Sequence, residues 1–193
     1  MTQTRTLSRT AAETAVGRAA ETTTVIRAPR TADGAPLWRI AVDSRVLDAN
    51  SSYAYLLWCR DFRSTSVVAE IDSQVAGFVI GYLRPQARNT LFVWQVAVDH
   101  RFRGRGLAGT MLDRLVGNVA AHGVSTLETT VSPDNDASLA MFAALARRHG
   151  TELEREELFT PPDFPDGHQA EDLYRIALQT AAHTEEEIID DHR

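Results

Sequence analysis

The clearest capacity for chemistry lies in Arg103-Gly104-Arg105-Gly106-Leu107-Ala108-Gly109. Glycines let backbone approach a ligand closely and adopt turns closed to other residues. A helix starting there would aim its first free N–H groups, and about half a unit of positive charge, at an anion. Arg101, Arg103 and Arg105 add guanidinium groups suited to paired hydrogen bonds with phosphate. The chemistry implied is the holding of a phosphorylated ligand. One spacing, Gly104, Gly106 and Gly109, spells G-x-G-x-x-G, the dinucleotide fingerprint, and Glu128 follows about 20 residues on where a ribose-binding acid would stand. Against that reading, Asp99 to Arg103 separates the preceding strand from the first glycine, and a long β-rich segment comes before it.

The turn needs elements to position it. Leu91 to Val98 is apolar almost throughout, which predicts a central strand covered on both faces. Leu107, Ala108, Met111, Leu112, Leu115, Val116 and Val119 recur at helical spacing until His122-Gly123. Upstream, a strand is expected over 22–28, with helices over Pro36 to Val46 and Ser51 to Phe62, the second capped by Asn50, Ser51 or Ser52. Strands Ser66 to Ile71 and Val75 to Leu83 form a hairpin through Asp72-Ser73-Gln74, and Pro85 to Thr90 reads as a loop. Downstream, Ser125 to Val131 alternates, placing Leu127, Thr129 and Val131 on one face. Ser132 to Asn135 opens a helix that buries Leu139, Phe142 and Leu145 and stops at Gly150. Glu152 to Phe159 and Asp172 to Leu178 are the last strands, joined by a turn-rich loop that includes Pro161 to His168. This order predicts an α/β (α+β) fold with a mixed central sheet and helices on both faces.

The 193 residues, 44% hydrophobic and 24% charged, suffice for one core without covalent staples. The single cysteine, Cys59, excludes an intramolecular disulfide and a multi-cysteine zinc site. No metal site is expected. A net charge of −6 argues against nucleic acid or anionic membrane as partner and suits a cationic small substrate. No apolar stretch approaches the ~20 residues of a membrane span, and the N-terminus lacks an apolar signal core, so the cytoplasm is expected. Residues 1–22 read as a mobile tail, 23–180 as the folded domain, and 181–193 as an acidic tail.

Arg103-x-x-Gly106-x-Ala108 resembles the pyrophosphate loop of the GNAT acetyltransferase superfamily. Val96-Ala97-Val98-Asp99 is similar to the strand end that precedes this loop there, and Asn135, Ser138 and Phe142 resemble its following Asn-x-x-Ala-x-x-x-Tyr helix. Asp48 to Trp58, Phe92 to Val98, Leu127 to Asn135 and Leu173 to Ile176 resemble the diaminobutyrate acetyltransferases of ectoine biosynthesis. The likeness covers about Thr24 to Leu178. It implies transfer of acetyl from acetyl-CoA to the γ-amino group of L-2,4-diaminobutyrate, for a solute accumulated under osmotic stress, by a homodimer. Val96, Val98, Arg103, Gly104, Arg105, Gly106, Leu107, Ala108 and Asn135 are then the expected cofactor contacts, with a backbone N–H near Val96 as oxyanion donor.

An alkylamine with a pKa near ~10.4 is a free nucleophile in only about one molecule in a thousand at pH 7. A proton acceptor and anionic anchors are therefore required. Asp48, in the connection between the first two helices, and Glu171, entering the last strand, are the acidic candidates. His168 neighbours Glu171 in sequence. Tyr53, Tyr55 and Trp94 are candidate walls, with Tyr53 and Trp94 also considered for catalysis. Thr129, Ser132 and Asn135 are candidate polar contacts, with helix capping the alternative for the last two. Phe142 stands where many GNAT enzymes carry a tyrosine that protonates the leaving thiolate, which a phenylalanine cannot do. Cys59 reads as a buried helical thiol, since direct attack on a thioester needs no acyl-enzyme. Alternatives are a GNAT enzyme for another amine, a nicotinamide-binding oxidoreductase, and a non-catalytic acyl-CoA-binding module.

Overall fold

Apolar periods of two and 3.6 resolve into a sheet clasped between helix pairs in the computed structural model, which describes residues 23–48 and 50–179. The expected tails, 1–22 and 181–193, lie outside the described residues. The strands are β1 (Thr24–Arg27), β2 (Val67–Ile71), β3 (Gln74–Arg84), β4 (Ala87–Val98), β5 (Thr126–Val131), β6 (Glu154–Phe159) and β7 (Glu171–Ala177). The helices are α1 (Gly34–Ser44), α2 (Ser52–Asp61), α3 (Leu107–Ala120) and α4 (Asp136–Arg148). The sheet runs β1-β2-β3-β4-β5-β7-β6. Neighbours are antiparallel except β4 and β5, which are parallel.

Successive strand residues point to opposite faces, so each buried strand feeds two cores. Leu37 and Ile40 of α1, with Tyr55 and Cys59 of α2, pack on Val68, Phe78 and Ile80. Met111, Leu112 and Leu115 of α3, with Leu145 of α4, pack with Val67, Val79, Leu91, Val93 and Leu127. Each such side chain contributes about 1.5–3 kcal/mol by leaving water. The expected mixed sheet with helices on both faces is what forms.

Three local expectations shift. The first helix begins at Gly34, because Pro36 falls in its first turn, where the missing N–H has no bond to lose. It stops at Ser44, since Arg45 adopts a left-handed φ of 56°. The loop expected over Pro85 to Thr90 is mostly strand, with only Pro85-Gln86 between β3 and β4. Thr90 pairs with Thr126 and Leu91 with both Leu83 and Leu127. Arg88 and Asn89 extend that strand into solvent, so no apolar alternation marks it.

Glu128 is buried, held by Arg84 at 2.6 Å and Arg175 at 2.8 Å. It is a paired structural carboxylate, not the ribose-binding acid of a dinucleotide site. The strand entering the glycine turn is antiparallel to β3, which also departs from a doubly wound parallel sheet.

Candidate active site

Parallel pairing of β4 with β5 extends only through Val93 opposite Thr129. Beyond that point β4 continues to Val98 while its β5 side lies open, so the sheet splits into a V. The Asp99 N–H bonds the Ala76 carbonyl on the β3 side. By alternation along the strand, the N–H groups of Val96 and Val98 face the opening. The β3–β4 register steps from Ile80 opposite Gln95 to Gly81 opposite Val93, which leaves Trp94 as the extra residue of a β-bulge. The bulge turns Trp94 and Gln95 to the same α2-facing side: Trp94 stacks on Trp58 at 4.8 Å, and Gln95 bonds Tyr55.

At the mouth of the V, Gly104 (φ 75°) and Gly106 (φ 71°) turn the chain into α3. Nothing lies within 4 Å of a Cβ placed on either, so the space above the turn is open. Gly106 caps α3 without a side-chain bond, leaving the first-turn N–H groups free to meet an anion. Arg103 Nε donates to the Val98 carbonyl, which orients its guanidinium over the turn. Arg101 is held by Asp99 at 2.7 Å, while Arg105 stacks on the Phe102 ring at 5.4 Å. A hollow of about 290 Å³ runs past Val96, Val98, Arg103, Gly106, Leu107 and Ala108, and Gly104 also borders it. Open glycines, an uncapped helix start and an arginine without a carboxylate partner among the described residues fit a pyrophosphate. Gly106→Val would force a β-branched residue to a left-handed φ and push methyl groups into the open space. We expect acetyl-CoA affinity by calorimetry to fall at least about tenfold, whereas an unchanged affinity in a folded variant would remove the turn from the site.

A second cavity, of about 420 Å³, abuts the first at Val96 and Ser138. Among the described residues its charged lining is Asp48, Asp166, Glu171 and His168, with no lysine or arginine. Asp48 reaches it from the α1–α2 connection, Glu171 from the start of β7, and His168 from the β6–β7 loop. The Ser132 hydroxyl donates to Glu171 Oε1 at 2.8 Å. His168 sets Nδ1 2.9 Å from the Gln169 carbonyl oxygen and Nε2 3.0 Å from Asp48 Oδ2. Both neighbours offer oxygen acceptors, an arrangement that favours the doubly protonated, cationic ring. The Gln169 carbonyl foremost raises its pKa; desolvation opposes this, and the Asp48 bond and the Asp48 and Glu171 charges add to the rise. Phe164 stacks on the ring at 4.8 Å and fixes its plane. An acidic chamber beside a phosphate turn can hold and deprotonate a small cation next to an activated acyl donor.

The structure brings Asp48, Trp94, Val96, Thr129, Asn135, His168 and Glu171 to this chamber. Asn135 also caps α4, accepting from the Ser138 N–H at 3.1 Å. Tyr53 is not brought there: it is 65% exposed on the outer side of α2. Tyr55 lies buried beneath the floor and lines neither hollow. Arg105 lines neither hollow as well, held over Phe102 at their rim. Phe142 is buried and borders the chamber, with no proton to give. Cys59 is buried away from it, and burial foremost pushes its thiol up to about 11, so it is protonated and inert. Asp166, Phe164 and Gln95 were not anticipated. A glutamine amid the apolar run from Leu91 to Val98 was the available signal for the last of these.

A split β4/β5 edge, a bulge and a phosphate turn opening α3 define an acyl-CoA-dependent N-acetyltransferase architecture. The chain belongs to the acetyltransferase (GNAT) family, whose model matches residues 35–146. Within it, the chain is 61% identical over 155 residues to the L-2,4-diaminobutyric acid acetyltransferase of Nocardia farcinica, covering 80% of each. It is 57% identical over 166 residues to the enzyme of that name from Streptomyces coelicolor, covering 84% of this chain and 98% of that one. Diaminobutyrate acetyltransferase EctA from Paenibacillus lautus, solved in complex with its substrate L-2,4-diaminobutyric acid and coenzyme A, superposes with a TM-score of 0.77 at 38% identity. That match covers 81% of this chain and 95% of that one. Ard1 from Thermoplasma volcanium, at 21% identity and a TM-score of 0.67, shares the fold.

Proposed function

We propose that the protein transfers the acetyl group of acetyl-CoA to the γ-amino group of L-2,4-diaminobutyrate, a step of ectoine biosynthesis. The observation that carries this reading is the junction at Val96. There a phosphate-binding hollow meets a chamber whose ionisable lining, among the described residues, is three carboxylates and one imidazole. The identity to diaminobutyrate acetyltransferases across most of the chain supports the choice of amine.

Acetyl-CoA supplies, when bound, a thioester whose carbonyl carbon is the electrophile. Arg103 and the amides from Gly104 to Ala108 hold its pyrophosphate, and Val98 and Asn135 border its path. The Val96 N–H, fixed by the strand before any charge develops, donates to the carbonyl oxygen. Asp48 and Asp166 attract the ammonium groups, and the cationic His168 ring, its two N–H groups engaged by Gln169 and Asp48, draws the substrate carboxylate by its charge. Glu171 accepts the proton of the attacking nitrogen. Trp94 and Thr129 confine the carbon chain. Tyr53, on the outer side of α2, has no part in this arrangement within one chain. Because Phe142 cannot protonate the thiolate, that proton comes from water or returns from Glu171.

Among the described residues no helix is long and apolar enough to cross a membrane; a cytoplasmic location is part of the proposed reading. A role under osmotic stress and a homodimeric assembly follow from the family resemblance. The folded unit, 23–180, carries the chemistry in this reading, with both tails outside it.

The test is thiol release from acetyl-CoA on adding diaminobutyrate, with the product identified by NMR. We expect stoichiometric thiol and acetylation at the γ-nitrogen. Turnover with a polyamine but not diaminobutyrate would reassign the substrate, and no thiol release with either would leave only a binding module.

A further inference from the structure

We propose that Gln95 is a positioning residue that fixes where Asp48 stands in the amine chamber; this rests on the function proposed above. Gln95 is 5% exposed, a polar side chain inside an apolar strand. Its side-chain oxygen accepts from the Tyr55 hydroxyl at 3.0 Å, and its Nε2 donates to the backbone carbonyl of Asp48 at 3.1 Å. A carbonyl can only accept, so the amide has one orientation. Burial foremost raises the Tyr55 phenol above its ordinary pKa, which keeps it a neutral donor. The bulge at Trp94 makes this contact geometrically available by turning Gln95 toward α2 and the α1–α2 connection.

Asp48 needs such a tether. Its side chain is 84% exposed, and the connection around it has no helix or strand to hold it. The same carbonyl also accepts from the Asn50 side chain at 3.3 Å, and Asn50 in turn meets the Tyr55 hydroxyl, a link to α2 and not to β4. Gln95 is the bond that refers the connection to β4, the strand that carries Trp94 and Val96. The chain Tyr55, Gln95, Asp48, His168 thus runs from the buried face of α2 to the β6–β7 loop. It sets the distance between the amine-holding carboxylate and the open edge of β4.

Gln95→Met keeps length and removes both hydrogen bonds. The expected result is a rise of about tenfold in KM for diaminobutyrate, the scale seen when an outer hydrogen bond to a ligand-holding side chain is lost. KM for acetyl-CoA should stay within about twofold of the parent, since the phosphate turn is untouched. A second readout needs no substrate: the His168 pKa, measured by NMR titration, should fall toward the ordinary ~6.5 as Asp48 drifts from the ring. The other groups facing that ring, Glu171, Asp166, Phe164 and the Gln169 carbonyl, are unchanged by the substitution. Should Gln95→Met fail to fold, Tyr55→Phe removes the bond that orients the amide, together with the contacts of the same hydroxyl to Asn50, and a selective rise in amine KM is expected there as well. Parent-like amine KM and His168 pKa would overturn the proposal, as would equal loss of affinity for both substrates. A parent inactive on diaminobutyrate would sink the functional reading instead, while the His168 titration would still decide the role of Gln95.

Discussion

Glu171→Gln should lower kcat for diaminobutyrate acetylation by ~10²–10⁴, the range that a positioned proton acceptor contributes. The substitution keeps the shape of the side chain and its bond from the Ser132 hydroxyl, because the amide oxygen still accepts. What disappears is basicity. Ser132 engages Oε1, which leaves Oε2 to face an amine in the chamber. In the parent, the ammonium can bind in its abundant charged form and lose its proton on site. In the variant, only the small fraction already deprotonated in solution can react. That fraction rises tenfold per pH unit below the amine pKa of ~10.4. The variant rate should therefore climb with a slope near one on a logarithmic plot, while the parent profile stays flatter. Acetyl-CoA affinity should be unaffected, since Glu171 does not border the phosphate hollow. A fully active Glu171→Gln enzyme with the parent pH profile would move the proton acceptor to another group, with Asp48 and Asp166 the remaining carboxylates of the chamber.

The glycine turn that opens α3 was legible in the sequence because it is local. Arg103, Gly104, Gly106, Leu107 and Ala108 are near neighbours along the chain, and the strand–turn–helix context fixes what their backbone does. The order of strands and helices was legible for the same reason, as period two and period 3.6 are short-range signals. The amine half is assembled from afar. His168 and Asp48 meet across 120 residues, and Ser132 and Glu171 across 39. No spacing in the sequence encodes such meetings, so Asp48, His168 and Glu171 rested on the need for acids near an amine and on family resemblance. Tyr53 and Tyr55 show the limit of that approach. They lie two residues apart on one helix and therefore cannot share a face; one points to solvent and the other into the core. Gln95 escaped notice because a bulge, which alternation does not anticipate, decides which side it faces.

Ornithine should be a poorer substrate than diaminobutyrate by at least about tenfold in kcat/KM, and the reason is the fixed length of the chamber. In the proposed arrangement diaminobutyrate is held at one end by its α-amino and carboxylate groups, against Asp48, Asp166 and the His168 ring. Its γ-nitrogen must then reach the carbonyl carbon polarised beside Val96. His168 and Asp48 are locked to each other at 3.0 Å, and the Phe164 stack holds the ring, so the anchoring end does not retreat. Val96 belongs to the central strand and does not move either. One further methylene advances the nucleophile by over ~1 Å, and a misplacement of that size can cost ~100-fold in rate. The chamber, at about 420 Å³, has room for the added carbon, whose burial returns ~0.8 kcal/mol, or about fourfold in binding. Geometry therefore outweighs burial by more than an order of magnitude, and the loss should fall on kcat while KM stays level or drops. Parallel saturation curves for the two amines measure this directly. Equal kcat values would mean that the anchoring end is not rigid, and the His168–Asp48 contact would then be a movable latch and not a stop.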